Sequence, residues 1–273
     1  MTGRTVLVTG ATGGIGLEAA REIARMGARV LVGARDAARG QAVVDSLVRG
    51  GGQAELLLVD LASFASTREA AARAAAAHPA LDVLVNNAGT ARRERRLTED
   101  GHEVTWQTNF LGPFLLTRLL LPALRADEGK PPRVVNVASE AHRSGRVDFA
   151  NLELTRGWST YRAYANTKLA NVLFTRELAR REPGIAANAV HPGVIATDIW
   201  EPAPAWAVAI GRMLMRRPAS GARPVVRLAS APELEGVSGR YFKRFREVAP
   251  SAAAQNDADA RRLWEAAEKA VEI

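Results

Sequence analysis

The sequence contains no cysteine. That excludes disulfides, thiolate catalysis and cysteine-ligated metals, and it fits a reducing compartment. No apolar run approaches the roughly 18 residues that a membrane-spanning helix needs. Aromatic residues make up only 5% of the chain, too few for a base-stacking platform. Long blocks of like charge are also missing. The densest, Arg92-Arg93-Glu94-Arg95-Arg96, is short and contains an acid. The net charge of +8 therefore reads as scattered, solvated arginines rather than a polyanion site. Met1-Thr2-Gly3-Arg4-Thr5-Val6 enters a strand pattern at once, so no signal peptide is expected. Repeats, linkers and low-complexity tails are absent. Together these absences predict one domain over 1–273, cytoplasmic, with no membrane span, no nucleic-acid partner and no bound metal.

What is present is an α/β pattern. With 47% of its 273 residues apolar, the chain can bury a sizeable core. Val6-Leu7-Val8 is followed by Thr9-Gly10-Ala11-Thr12-Gly13-Gly14-Ile15-Gly16, then by apolar residues at helical spacing, Ile15, Ala19, Ile23 and Met26. Strand, glycine-rich turn and helix open a dinucleotide-binding unit. The glycines let the backbone approach a pyrophosphate, and the helix N-terminus offers free N–H groups. Taken alone, the same turn also fits a glycine turn with no ligand.

The second strand, Arg29–Ala34, lacks the acid that would bind a ribose 2′-hydroxyl. Ala34 stands there, followed by Arg35, with Arg39 one turn on. Two guanidinium groups can hold a 2′-phosphate, which favours NADP(H) over NAD(H). Asp36 tempers this reading, although it also suits a helix N-cap. Helices over 37–49 and 63–77 alternate with strands over 54–59 and 82–85. This predicts a doubly wound parallel sheet of about seven strands, flanked by helices on both faces. Asp60, Leu61, Asn86, Asn87, Ala88 and Gly89 then fall at strand carboxyl ends, where such sheets bind ligands.

A long helix is expected from Thr98 to about Arg125. It contains Asn109 in an apolar stretch, a position that also fits an amide satisfied by neighbouring backbone. A fifth strand, 133–138, ends at Ser139. Residues 160–182 read as a helix with Tyr164 and Lys168 one turn apart on one face. A nearby ammonium would lower the phenol pKa, as a general acid requires, although Y-x-x-x-K alone is weak evidence. A strand over 186–190 leads into His191-Pro192-Gly193-Val194-Ile195-Ala196-Thr197-Asp198. Residues 194–218 read as an apolar substrate lid or, equally, as an ordinary amphipathic helix. A helix over 219–230, a short strand at 239–242 and a terminal helix over 256–270 complete the chain.

Taken together, Thr9-Gly10 with Gly14-Ile15-Gly16, Asp60-Leu61, Asn86-Asn87-Ala88-Gly89, Asn109, Ser139, Tyr164 with Lys168, and His191-Pro192-Gly193 with Thr197-Asp198 resemble the short-chain dehydrogenase/reductases. The match runs over nearly the whole chain. Gly33-Ala34-Arg35-Asp36, Trp106-Gln107-Thr108-Asn109-Phe110, Lys168-Leu169-Ala170-Asn171 and Gly239-Arg240-Tyr241-Phe242 narrow it to the retinol dehydrogenase and WW-domain oxidoreductase branch. Protochlorophyllide reductases share much of this pattern, but they look to cysteine in their chemistry.

The resemblance implies NADP(H)-dependent hydride transfer, with less preference for NAD(H), to or from a lipophilic ketone, aldehyde or secondary alcohol. Tyr164 would be the general acid/base and Ser139 would hold the substrate oxygen. Lys168 would tune Tyr164 and bind the ribose, and Asn109 would hold a relay water. Thr9, Gly10, Thr12, Gly14, Ile15 and Gly16 would shape the pyrophosphate site. Arg35 and Arg39 would take the 2′-phosphate. Asp60 and Leu61 would meet the adenine, and Asn87, Ala88 and Gly89 the cofactor at the strand end. Pro192, Gly193, Val194 and Thr197 would serve the nicotinamide. Homodimers or homotetramers would pair through the helices carrying Asn109 and Tyr164. A cofactor-binding sensor without turnover is the alternative; it would not need Asn109, Ser139, Tyr164 and Lys168 together.

Overall fold

A computed structural model describes residues 1–124, 131–193 and 217–273. Alternating strands and helices build the predicted sheet: β1 (Thr5–Thr9), α1 (Gly14–Arg25), β2 (Arg29–Ala34), α2 (Ala37–Arg49), β3 (Gln53–Leu58), α3 (Phe64–Ala77) and β4 (Val83–Asn86). The second half adds α4 (Val104–Trp106), a π turn (Gln107–Leu111), α5 (Gly112–Leu124), β5 (Arg133–Val137) and a 3-10 turn (Glu140–Ser144). It continues with α6 (Thr160–Arg181), β6 (Ala186–His191), α7 (Pro218–Ser230), β7 (Tyr241–Lys243), β8 (Arg246–Glu247) and α8 (Asp257–Ala270).

The strands form one sheet in the order β3-β2-β1-β4-β5-β6-β7-β8. All neighbours are parallel except β7 and β8. Among the described residues these eight strands match the expected sheet of about seven; the short β8 forms where the chain turns back at Arg244, whose φ is 57°. Because β1 lies between β2 and β4, the winding reverses there and opens a cleft at their carboxyl ends.

Local sequence sets most helix starts. Ser63, Ser159 and Asn256 each accept a backbone N–H from the first turn of the helix that follows. Asp36 does the same for Arg39, so its N-cap role is real. The helix expected from Thr98 begins later. Thr98 instead accepts the His102 N–H within a turn that uses Gly101 at φ 83°. Glu103 then caps α4 through Trp106.

The core has two halves, one on each face of the sheet. On one face α1, α2 and α7 bury Ile23, Val43, Leu47 and Val225. On the other, Phe110, Phe114 and Phe174 pack with Trp264 of α8. Trp264 lies 5.0 Å from Phe114 and 5.8 Å from Phe174, centroid to centroid. Arg118 and Arg181 stand over its indole. The chain's own α8 thus packs against α5 and α6 through Trp264. Among the described residues, no helix is long and apolar enough to cross a membrane.

Candidate active site

Hydrogen bonding between β1 and β4 fixes the floor of the cleft. Thr9 Oγ1 accepts the N–H groups of Asn87 (3.0 Å) and Ala88 (3.1 Å) and donates to Val85 O. The Asn87 side chain returns a bond to Thr9 O at 2.9 Å. Asn86 points elsewhere: its amide donates to Thr117 and Asn136 and supports the buried strand end.

The glycine turn crosses this floor. Gly10 has φ 66°, and a Cβ there would meet Ala88 Cα at 2.8 Å. At Gly16 a Cβ would stand 2.4 Å from both Asn87 Nδ2 and Gly10 O. Gly16 therefore serves close helix–turn packing and does not line the cavity. Gly13, the N-cap of α1, makes no side-chain cap, so the first N–H groups of α1 keep no side-chain acceptor. That opening fits an anionic pyrophosphate.

A cavity of about 850 Å³ joins the two halves of the site. Thr9, Gly10, Thr12, Gly14 and Ile15 line its base. Arg35 and Arg39 stand at one end, beside Asp60 and Leu61. Asn87, Ala88 and Gly89 line the middle, and Ser139, Tyr164, Lys168, Pro192 and Gly193 the far end. Val194, Thr197 and nearly all of the lid expected over 194–218 lie outside the described residues; Arg217 and Pro218 simply open α7. Sequence reading missed Thr90, Glu140, Tyr161 and Lys243, which also line the cavity, and gave no site role to Gly13 and His191, which stand in its motifs and line the cavity too. Tyr161, three residues before Tyr164, and Glu140, next to Ser139, were within reach of spacing arguments. Lys243 reaches the site from β7, which no local pattern shows.

Asn109 does not line the cavity. Its amide accepts from Thr90 N (2.7 Å) and donates to Thr90 O (2.9 Å) and to Thr167 Oγ1 (3.2 Å). Thr167 in turn donates to the Tyr164 carbonyl. Asn109 thus ties the loop at Thr90 to α6. It sits in the π turn, where Gly112 N–H bonds back to Gln107 O. Pro113 removes the N–H that would close an α-helical bond onto the Asn109 carbonyl.

Ser139 Oγ accepts from Ala141 N at 3.2 Å and caps the 3-10 turn. Tyr164 is 9% exposed and hydrogen-bonds with Ser139. Burial raises its phenol above the ordinary 10, and the Ser139 bond opposes that shift. The lowering expected from Lys168 is not found. Lys168 Nζ donates to Val137 O at 2.8 Å and sits 5.4 Å from the Tyr164 ring centroid. Burial brings the lysine down to about 8. His191 is likewise lowered by burial, to about 4, so it is neutral at physiological pH. Among the described residues, no cluster of three or more acids and histidines could hold a metal.

Comparisons with known proteins bear on the fold and the family. Residues 4–207 match the family model described as short chain dehydrogenase. Polyprenol dehydrogenase of Mus musculus is 44% identical, over 96% of this chain and 82% of that protein. Retinol dehydrogenase 13 of Homo sapiens is 40% identical over the same shares, 96% and 82%. A Beutenbergia cavernae structure, titled as an NAD(P) dependent gluconate 5-dehydrogenase with bound NADP, superposes with a TM-score of 0.72. It is 30% identical, covering 89% of this chain and 95% of that one. A cleft built at the switch point, matched along three quarters of the chain by one family, leaves a single assignment: the protein is a short-chain dehydrogenase/reductase of the retinol dehydrogenase-like branch, a nicotinamide-dependent oxidoreductase.

Proposed function

We propose that the protein is an NADP(H)-dependent oxidoreductase acting on a lipophilic ketone, aldehyde or secondary alcohol, with Tyr164 as general acid and base. One observation carries this reading. A single cavity holds Arg35 and Arg39 at one end and Ser139, Tyr164 and Lys168 at the other. The lipophilic substrate class is carried over from relatives named for polyprenol and retinol.

The residues fit the cofactor. Gly10 and Gly13 keep side chains away from a pyrophosphate at the start of α1, and the two arginines would pair with a 2′-phosphate. Bound nicotinamide would supply or accept the hydride. Ser139 would donate to the substrate oxygen and hold it beside Tyr164. The raised phenol is protonated at neutral pH, so it donates its proton to that oxygen during reduction. In the oxidation direction the phenolate must form first, and the Lys168 charge would stabilise it. The Asn109 carbonyl, left without its helical donor by Pro113, would hold a relay water.

The test is NADPH oxidation followed by absorbance, with all-trans-retinal, decanal and 2-decanone as carbonyl probes. Turnover with any of them, lost in Tyr164→Phe, supports the reading. A wild-type protein that binds NADPH but reduces none of them overturns it in favour of a cofactor-binding role.

A further inference from the structure

The turn that carries Ser139 is held from the far end of the chain. His142 lies within that turn and is fully buried, at 0% exposure. Its Nδ1 meets the Ser139 carbonyl at 2.7 Å, and its Nε2 meets the Ser251 N–H at 3.1 Å. A carbonyl can only accept and a backbone N–H can only donate. The ring must therefore be neutral, with its proton on Nδ1. Protonation would set Nε2–H against the Ser251 N–H. Burial holds the imidazole below its ordinary range, and Arg143 pushes the same way against Glu140 and the Ser139 carbonyl. The Tyr241 ring packs on the imidazole, 4.7 Å between centroids.

Neighbouring residues repeat the attachment. Glu140 accepts from Tyr241 Oη (2.8 Å) and Lys243 Nζ (2.9 Å) on β7. Arg143 donates to Ala249 O at 3.0 Å. Of these residues, only His142 bonds to the Ser139 main chain itself and also reaches the distant segment.

We propose that His142 is a positioning residue that fixes Ser139, by bridging the Ser139 carbonyl to the Ser251 N–H through one neutral tautomer. The proposal rests on the reading of Ser139 as the group that holds the substrate oxygen. His142 touches neither substrate nor cofactor, so it acts on turnover only through the serine. Displacing an orienting group by about 1 Å can cost on the order of 100-fold in rate.

The test is a double-mutant cycle on NADPH-dependent reduction of all-trans-retinal and decanal. His142→Phe should lower kcat by roughly tenfold to a hundredfold, with KM and NADPH affinity little changed. In a Ser139→Ala background the same change should cost almost nothing further. Equal factors in both backgrounds, or an unchanged kcat in His142→Phe, overturn the proposal. A Ser139→Ala variant as fast as wild type overturns instead the reading of Ser139 on which it rests. Should His142→Phe fail to fold, His142→Asn and His142→Gln decide. Asparagine places its amide N–H near Nδ1 and keeps the bond to Ser139 O, whereas glutamine reaches only the Nε2 position. His142→Asn should be the faster of the two, and equal rates overturn the proposal.

Discussion

The Lys168 ammonium bonds to the Val137 carbonyl at 2.8 Å rather than to the Tyr164 oxygen, and stands 5.4 Å from that tyrosine's ring centroid. Strand β5 thus anchors the lysine beside the phenol. The pair is arranged as neighbours on one cavity wall.

This placement has a cost that pH reveals. Burial lowers the Lys168 pKa from 10.5 to about 8, so below pH 8 the folded state carries a charge it would rather shed. The full penalty, roughly 3 kcal/mol, applies there. It fades as pH rises from about 8 toward 10.5, where the unfolded chain loses the proton too. Urea unfolding of wild type and Lys168→Met should show wild type gaining on the variant across that window. A constant difference would show that burial does not tax this lysine.

Tyr164→Phe should keep NADPH affinity and lose carbonyl reduction by about 10²–10⁴-fold, the usual contribution of a positioned general acid. Fluorescence titration and steady-state rates check the two halves separately. Wild-type turnover in the variant would remove Tyr164 from the mechanism.

Arg35→Ala should weaken NADPH by about tenfold to a hundredfold, from the loss of one charge-assisted contact, and NADH far less. Arg39→Ala should follow in the same direction, more weakly. Equal losses for the two cofactors would place both guanidinium groups away from the 2′-phosphate.

Gly16→Ala should destabilise the fold by roughly 1–3 kcal/mol, because its Cβ meets Asn87 Nδ2 and Gly10 O at 2.4 Å and the turn must shift. Cofactor affinity should fall with it, although Gly16 lines no part of the cavity. Thermal melts with and without NADPH measure both effects. A variant with wild-type stability and affinity would show that the turn relaxes freely.

Much of this was legible in the chain itself. Periodicity placed most helices and strands to within a few residues, and Asp36 was readable as an N-cap because its signal and its effect are both local. Arg35 was read from the end of β2 and Ser139 from the end of β5, whereas Tyr164 and Lys168 came from their spacing on one helix and took their expected roles from the family resemblance. What escaped was set by distance in sequence. The start of α4 depends on Thr98, Gly101 and Glu103 forming a turn in place of a helix. The Tyr164 pKa depends on burial by several elements, so two residues on one helix misjudge its direction. Asn109 faces Thr90 because a loop folds onto it. The seating of Trp264 between Phe114 and Phe174 requires three helices at once.

The attachment of the serine turn bears on the order in which the molecule is made ready. His142 and Ser251 are 109 positions apart, and closing such a loop is entropically slow compared with forming a helix or a neighbouring strand pair. The floor under the glycine turn is also closed over a long loop, Thr9 to Asn87 being 78 positions apart, but all of it lies before residue 90 and so is complete in sequence long before Ser251. A folding chain can therefore present a cofactor floor before it presents a fixed serine. Competence to bind nucleotide would then precede competence to reduce a carbonyl, and the second would mark the completion of the sheet's far edge.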